Sequence, residues 1–288
     1  MIGQENIQKV ISTAIEENTF PSFLILTGTK GSGKKTLINE YIYPKLAEGG
    51  FGRYCLPDIK IESIREMIRM ANKMSNTVFI LTDADGMSVP AKNAMLKVVE
   101  ELPNNNIFIM TLEDINNTLP TIKSRASIYA MDSYTRQELK EYCMGKSIIN
   151  LDELDICLDI AEVPRDIDLL EKMEATTFYE YVQLVIDNIS KVSGSNSFKI
   201  AGKVAIKEDD EGYDLRLFWK AFIRECTGRA VSYFEDNANS KGLQYLFWSR
   251  ETSRVLIKSH IKGINRQMLF DTWILNVREV ANEFAGNS

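Results

Sequence analysis

The chain has 288 residues, of which 44% are hydrophobic and 26% are charged, a composition typical of a globular protein. This length exceeds what one hydrophobic core usually organises, so it predicts two or three domains. The formal net charge of −6 excludes a chain that is basic overall. Any contact with nucleic acid would therefore be local or shared with partner subunits.

Metal and disulfide chemistry has little support in the sequence. The four cysteines are scattered without a C-x-x-C pair, and the single histidine is His260. We therefore expect no zinc, no other metal cluster and no hydrolase that depends on a histidine base. The first ten residues lack the apolar core of a signal peptide, and no apolar run reaches the about 20 residues that span a bilayer. We expect a cytoplasmic protein without membrane contact.

Residues 1–132 alternate strand-like apolar runs with helical patterns, which indicates an α/β domain with a parallel sheet. Helical periodicity predicts helices over residues 34–46, 61–74 and 90–101. Strands are predicted at residues 23–26, 78–81, 107–110 and 127–131, and residues 49–55 are predicted to be a short bridge. Beyond residue 132 the strand signals stop. Helices are predicted at residues 135–142, 151–161 and 165–173 and from residue 176 onward, with interruptions at 193–197 and 208–212.

The sequence GTKGSGKKT at residues 28–36 follows the first strand and opens a helix, which is the context of a phosphate-binding loop. Gly28, Gly31 and Gly33 would let backbone N–H groups approach phosphates, and Lys34 would reach the β- and γ-phosphates. ATP or ADP is the expected ligand. A glycine turn without a ligand is the alternative.

The residue after the loop lysine departs from the usual pattern. A Ser or Thr at that position supplies the hydroxyl that ligates Mg²⁺, but this chain has Lys35. The hydroxyl is displaced to Thr36, which points elsewhere because a helix advances about 100° per residue. We therefore expect compromised placement of Mg²⁺ and nucleotide binding that is weak or lost.

A second acidic element follows the strand predicted at residues 78–81. Asp83 resembles the aspartate of a Walker B strand, whereas a strand-end aspartate in a turn is the alternative interpretation. Active ATPases of this kind usually have a Glu directly after the Asp, which polarises the attacking water; here that neighbour is Ala84, and Asp85 lies one step further. Lys35 and Ala84 together predict an impaired ATPase site.

These motifs resemble the bacterial clamp-loader δ′ subunits of the AAA+ family, in the right order over most of the chain. The matching segments are residues 2–4, 28–36, 58–68, 81–87, 93–103, 119–126 and 265–271. Two departures stand out. Ala126 replaces the Cys of the family's Ser-Arg-Cys motif, and residues 49–55 are short where bacterial relatives often carry a four-cysteine zinc module.

The resemblance implies an AAA+ α/β P-loop domain with a parallel sheet at residues 1–132, a small helical lid domain at 133–174 and an all-α collar domain at 175–288. It also implies a heteropentamer with motor and clamp-opening subunits, a sliding clamp and primed DNA reached through the assembled complex. Arg125 matches the arginine finger that acts on a neighbour's nucleotide in trans, and Arg165 matches the lid arginine that touches the γ-phosphate in cis. The alternatives are a salt-bridged surface arginine for Arg125 and helix-start polarity for Arg165.

Three functions compete on this sequence. The leading one is a non-motor, δ′-like clamp-loader subunit in DNA replication. The alternative is an active AAA+ ATPase, either a clamp-loader motor or a replication-associated remodeller, and Lys35 and Ala84 argue against it. A P-loop kinase of a small metabolite would explain neither the Ser-Arg motif nor the helical C-terminal region.

Overall fold

The structure is a computed structural model that describes residues 2–146, 151–189, 203–205, 212–259 and 264–286. The chain forms two compact units. The first comprises Met1–Glu138 with Val163–Arg165, and the second comprises Leu139–Glu162 with Asp166–Ser288. The division into three domains made from the sequence stays a prediction.

The first unit alternates strands and helices. Its five strands are β1 (Phe23–Thr27), β2 (Gly52–Cys55), β3 (Thr77–Leu81), β4 (Ile107–Leu112) and β5 (Ser127–Ala130). Its helices are α1 (Glu5–Glu16), α2 (Lys34–Thr36), α3 (Tyr43–Glu48), α4 (Ile61–Lys73), α5 (Val89–Glu101) and α6 (Pro120–Lys123). A π-helical stretch, Leu37–Ile42, joins α2 to α3, so the helix predicted after the glycine loop is continuous but contains a local widening.

The five strands form one parallel sheet in the order β2-β3-β4-β1-β5. Strands β3 and β4 are buried along their whole length, which explains why they read as continuous apolar runs rather than as alternating patterns. The parallel α/β fold class predicted from the sequence is confirmed.

Helices cover both faces of the sheet. Successive residues of a strand point to opposite faces, so each buried strand contributes side chains to two apolar clusters. Phe23 and Ile25 of β1 belong to the cluster formed with α4 and α5, where Phe79 and Phe108 stack with ring centroids 5.1 Å apart. The opposite cluster contains residues of α1 and of the helical run at 34–48. Each face of β1 therefore has its own apolar layer, which places this strand in the interior of the sheet.

The sequence predicted a short bridging segment at residues 49–55. That prediction is wrong for the second half of the segment, which forms strand β2. This strand pairs only with β3, in the register Gly52 opposite Thr77 and Cys55 opposite Ile80. Three of its four residues are exposed. An edge strand with so little buried surface has no apolar run, so its sequence lacks the signal that identified the other strands.

The second unit is largely helical. Its helices are α7 (Arg136–Gly145), which starts in the first unit, α8 (Leu151–Ile160), α9 (Pro164–Lys172), α10 (Ala175–Asn188), α11 (Leu215–Glu235), α12 (Asn239–Ser259) and α13 (Arg266–Gly286). Trp219, Trp248 and Trp273 are buried in its core. The α/β domain is thus followed by a helical region, as predicted. No helix within the described ranges combines the length and apolarity that a membrane crossing needs.

The prediction that strands stop after residue 132 needs one correction. Two strands of two residues each, β6 (Val204–Ala205) and β7 (Tyr213–Asp214), pair in parallel within the second unit. Two residues are too few to show an alternating pattern, so no periodicity could have found them. The interruption predicted at residues 193–197, and that at 208–212 except for Gly212, lie outside the described residues.

Candidate nucleotide site

The topology of the sheet marks the carboxyl end of β1 as a place for a ligand. Strand β1 lies between β4 and β5, whereas the next strand along the chain, β2, lies at the far edge. In open parallel sheets, ligands bind outside the carboxyl ends of the strands where the chain order reverses. The glycine loop at residues 28–36 begins directly after β1 and therefore lies at this position.

The three loop glycines adopt backbone conformations that a side chain disfavours. Their φ angles are +154° at Gly28, +89° at Gly31 and +87° at Gly33. A Cβ atom at Gly28 would lie 2.9 Å from Cβ of Met131, and one at Gly31 would lie 2.4 Å from Cβ of Arg165. The loop therefore requires glycine for both its conformation and its close packing.

Lys34 is folded into the loop. Its Nζ donates hydrogen bonds to the carbonyl oxygens of Gly28 at 2.5 Å and Thr29 at 2.9 Å, and the residue is only 7% exposed. Burial lowers the pKa of Lys34, although the carboxylates of Glu113, Asp85 and Asp83 act to raise it. The loop thus holds an ammonium group at the position from which a phosphate would be bound.

Lys35 forms an ion pair with Asp83. Its Nζ lies 2.5 Å from Oδ2 of Asp83, and the two side chains are 54% and 64% exposed. Asp83 has a left-handed backbone with φ +56°, and its N–H donates to Oγ1 of the fully buried Thr111 at 2.9 Å. Thr36 lies one step further along α2 and is half-buried. The lysine is therefore paired with the carboxylate that would hold a metal ion or its water.

The two residues after Asp83 differ from the usual pattern of an active site. Ala84 is 1% exposed and packs in the apolar cluster on the α4 and α5 face of the sheet. Asp85 accepts hydrogen bonds from the backbone N–H of Glu113 at 2.8 Å and of Asp114 at 3.1 Å, and from Nδ2 of Asn117 at 2.9 Å. Three donors commit this carboxylate to the turn that follows β4, so neither residue is placed to polarise a water molecule.

Nucleotide and Mg²⁺ differ in how well the present residues fit them. The glycine loop and the Lys34 ammonium match the requirements of a polyphosphate. For Mg²⁺, Lys35 stands where an oxygen ligand is needed and its ammonium neutralises Asp83. The residues present therefore match a phosphate chain better than they match the usual Mg²⁺ site.

Further residues support the loop through contacts over long sequence distances. The hydroxyl of Tyr134 donates to the carbonyl oxygen of Ser32 at 3.0 Å. Gln4 exchanges two hydrogen bonds with the backbone of Asp132, at 2.8 and 2.7 Å, and so ties the start of the chain to the end of β5. Sequence reasoning missed Tyr134, because no local pattern marks a partner about a hundred residues away. Gln4 carried a signal, since it belongs to the Ile-Gly-Gln segment of the family resemblance.

Arg125 lies apart from the glycine loop. Its Nη2 is 3.0 Å from Oε1 of Glu100, its Nη1 donates to the carbonyl oxygen of Thr121 at 3.0 Å, and its side chain is 38% exposed. It is thus a salt-bridged surface arginine within this chain. The structure brings together the other predicted site residues, namely Gly28, Gly31, Gly33, Lys34, Lys35, Thr36, Asp83 and Arg165.

Comparison with known proteins identifies relatives of this chain. Residues 48–135 match the family described as DNA polymerase III, delta subunit. The chain is 26% identical over 174 residues to Replication factor C subunit 4 of Encephalitozoon cuniculi, covering 56% of each protein. It is 22% identical over 240 residues to DNA polymerase III subunit tau of Bacillus subtilis, covering 71% of this chain and 42% of that protein. The chain thus spans about half the length of these curated relatives.

Solved structures with related folds include a DNA polymerase III gamma subunit-related protein of Thermotoga maritima, at 14% identity and a TM-score of 0.45, covering 96% of this chain and 99% of that one. A Holliday junction branch migration motor from the same organism matches at 19% identity and a TM-score of 0.47, covering 81% and 78%. The sheet order and glycine loop define a P-loop α/β protein. By the match over residues 48–135 and by its curated relatives, the chain is similar to subunits of DNA polymerase III and of replication factor C.

Proposed function

We propose that this chain is a non-motor, δ′-like clamp-loader subunit in DNA replication and that it donates Arg125 to the nucleotide site of a neighbouring ATPase subunit. The names of its relatives, subunits of DNA polymerase III and of replication factor C, support the assignment to a clamp loader. The proposed partners are motor and clamp-opening subunits in a heteropentamer, a sliding clamp, and primed DNA that is reached through the assembled complex.

The observation that carries the non-motor role is the missing water-polarising carboxylate. Phosphoryl transfer to water needs a residue that orients the nucleophile. Ala84 has no carboxyl group and is buried, while the carboxylate of Asp85 is occupied by three hydrogen-bond donors. A chain with this site can hold a nucleotide without hydrolysing it, which favours a subunit that depends on its neighbours for turnover.

The surroundings of Arg125 are compatible with action on a neighbour. The Arg125–Glu100 pair has side-chain exposures of 38% and 50%, so it is a surface ion pair. Such pairs contribute about 0–1 kcal/mol, and the guanidinium can therefore leave Glu100 at small cost. Donated to a transferring phosphoryl group, an arginine finger is worth roughly 10³–10⁵ in rate. The stabilisation of the transition state by the guanidinium is therefore much larger than the free energy needed to break the Arg125–Glu100 ion pair.

The test is to purify the tagged full-length chain from its own host and to identify the proteins in its assembly by mass spectrometry. We expect a sliding clamp and at least one further AAA+ subunit. Steady-state ATP turnover of the isolated chain, measured with primed DNA, is expected to lie far below the ~1 s⁻¹ at the low end of typical enzymes. An assembly without replication proteins would refute the clamp-loader role. Turnover near that value by the chain alone would favour the active ATPase instead.

A further inference from the structure

We propose that the glycine loop binds ADP or ATP without a divalent cation, and that the ammonium group of Lys35 provides the positive charge that Mg²⁺ provides in other P-loop proteins. The inference rests on the nucleotide site of the proposed function but not on the role of Arg125. The proposed ligand of this site is the metal-free nucleotide.

The position of Lys35 is set by contacts on both sides of the site. The residue lies in the first turn of the helical run that begins at Lys34, and its Nζ lies 2.5 Å from Oδ2 of Asp83. Asp83 is itself fixed, because its N–H donates to the buried hydroxyl of Thr111 at 2.9 Å. The ammonium therefore lies between the glycine loop and the end of β3, where Walker-type sites place their metal ion. Because this ion pair is exposed, the ammonium can also turn toward a bound phosphate at small cost.

Both ammonium groups of the loop have carboxylates nearby. The carboxylates of Glu113, Asp85 and Asp83 act on Lys34. Asp83 is also paired with Lys35, and Asp85 accepts three hydrogen bonds from the turn after β4. An ammonium has three N–H donors, so Lys35 can keep its contact with Asp83 and still offer two donors to phosphate oxygens. A divalent cation would have to displace Lys35 from Asp83 and would then lie beside two positive side chains, which Coulomb repulsion opposes.

The remaining acidic side chain of the segment cannot supply the missing metal ligand. Both oxygens of Asp85 accept hydrogen bonds from the turn after β4. Thr36, which carries the displaced hydroxyl, is one residue and about 100° further around the helix than the residue that usually ligates the metal. The usual ligands for Mg²⁺ are therefore missing both in the helix after the glycine loop and in the turn after β3, whereas Lys34 and Lys35 both carry N–H donors for phosphate oxygens.

The experiment titrates a fluorescent ADP analogue into the full-length chain by fluorescence anisotropy, once in excess Mg²⁺ and once in excess EDTA. The wild-type Kd is expected to agree within about threefold between the two conditions. Lys35→Ala should weaken binding about tenfold or more in both, because a charged hydrogen bond to phosphate is lost. Lys35→Arg should keep metal-free binding, since it keeps the charge.

Lys35→Thr gives the discriminating result. It restores the hydroxyl that ligates Mg²⁺ and frees Asp83, so its binding should be weak in EDTA and should recover in Mg²⁺. Lys97→Ala, an exposed lysine on α5, is the matched control and should bind like the wild type. Circular dichroism on each variant checks that the fold is retained.

Two results on the wild-type chain would overturn the proposal. The first is a loss of affinity beyond about 100-fold on chelation, which would show a working metal site despite Lys35. The second is the absence of measurable binding in both conditions, which would leave the glycine loop without a ligand. Neither result affects the proposed clamp-loader role, because that role is read from the composition of the assembly.

Discussion

Glu100 holds Arg125 through an ion pair of 3.0 Å between Oε1 and Nη2. Glu100 lies at the C-terminal end of α5, whose N-terminal end is capped by Ser88 just after the turn that contains Asp83. One helix of 13 residues, about 20 Å long, thus joins the acidic end of β3 to the residue proposed to act on a neighbouring subunit.

Replacing Arg125 by alanine is expected to lower ATP hydrolysis by the assembled complex without affecting its assembly. The loss at the site that borrows this arginine should be at least about 100-fold in kcat, because only transition-state charge stabilisation is removed, while KM should change less. In an assembly with several sites the total loss is diluted by those that use other arginines. The measurement is steady-state ATPase activity and clamp loading, with assembly checked by size-exclusion chromatography.

Arg69→Ala is the matched control for that experiment, because Arg69 is also an exposed, salt-bridged arginine of the first unit, 2.7 Å from Glu66. It should leave ATPase activity unchanged. An intact complex with full activity after Arg125→Ala would reject the finger role. Loss of assembly instead would identify Arg125 as a residue of a subunit interface.

Glu100→Gln is expected to leave hydrolysis by the complex unchanged or to raise it by at most about fivefold. The reason is that a surface ion pair worth up to about 1 kcal/mol competes with phosphate for the guanidinium. Stability of the isolated chain should change by less than about 1 kcal/mol, as judged by chemical denaturation. A fall in ATPase activity of tenfold or more would contradict competition and would show that Glu100 orients the arginine for its neighbour.

The parts of the fold that the sequence predicted are those whose signal is local. Strands β3 and β4 are buried on both faces and therefore appear as apolar runs, whereas β2 at the sheet edge does not. The glycine loop could be recognised because its chemistry lies within nine consecutive residues. The partners of Asp85 and Arg125 could not, because those contacts join residues about 25 or more positions apart.

Ala84→Glu is expected not to restore hydrolysis, even though it supplies the residue type that active ATPases have at this position. Ala84 is 1% exposed within an apolar cluster, so a glutamate there would bury an unpaired carboxyl group. The cost in unfolding free energy should be about 3 kcal/mol. Thermal denaturation and ATP turnover of the variant check both parts, with Ala84→Ser as the control of similar size. A stable variant that hydrolyses ATP would contradict this prediction and would show that the missing carboxylate alone prevents hydrolysis at this site.

Asp166 and Arg216 form a buried ion pair in the second unit. Asp166 is fully buried, accepts hydrogen bonds from Arg216, and lies 3.6 Å from Nζ of Lys220. Burial alone would raise the pKa of Asp166, but the hydrogen bond and charge of Arg216 outweigh it and lower that pKa below its usual range. Asp166→Ala would leave Arg216 without its carboxylate partner. We expect it to lower the unfolding free energy at neutral pH by about 3 kcal/mol.

The sign of the pH dependence follows from the lowered pKa. In the unfolded chain Asp166 should titrate near its ordinary value of about 3.9, whereas the folded chain keeps the carboxylate ionised to lower pH. The stabilisation is therefore fully present above about pH 4 and is lost as the pH falls through the folded pKa, at up to about 1.4 kcal/mol per pH unit for one proton. Asp166→Asn should show a shallower decline over that window than the wild type.

Tryptophan fluorescence during urea denaturation is the suitable measurement, because all three tryptophans of the chain, Trp219, Trp248 and Trp273, are buried in the second unit. The signal thus reports the unit that contains Asp166. Arg69→Ala, which removes an exposed ion pair of the first unit, should leave this transition unchanged. Asp166→Leu combined with Arg216→Met should recover most of the stability lost in Asp166→Ala, because the carboxylate and the guanidinium are both replaced by apolar groups while Lys220 keeps its ion pair with Glu162 at 2.8 Å. Equal declines of wild type and Asp166→Asn in acid would show that Asp166 is not the group whose protonation destabilises this unit.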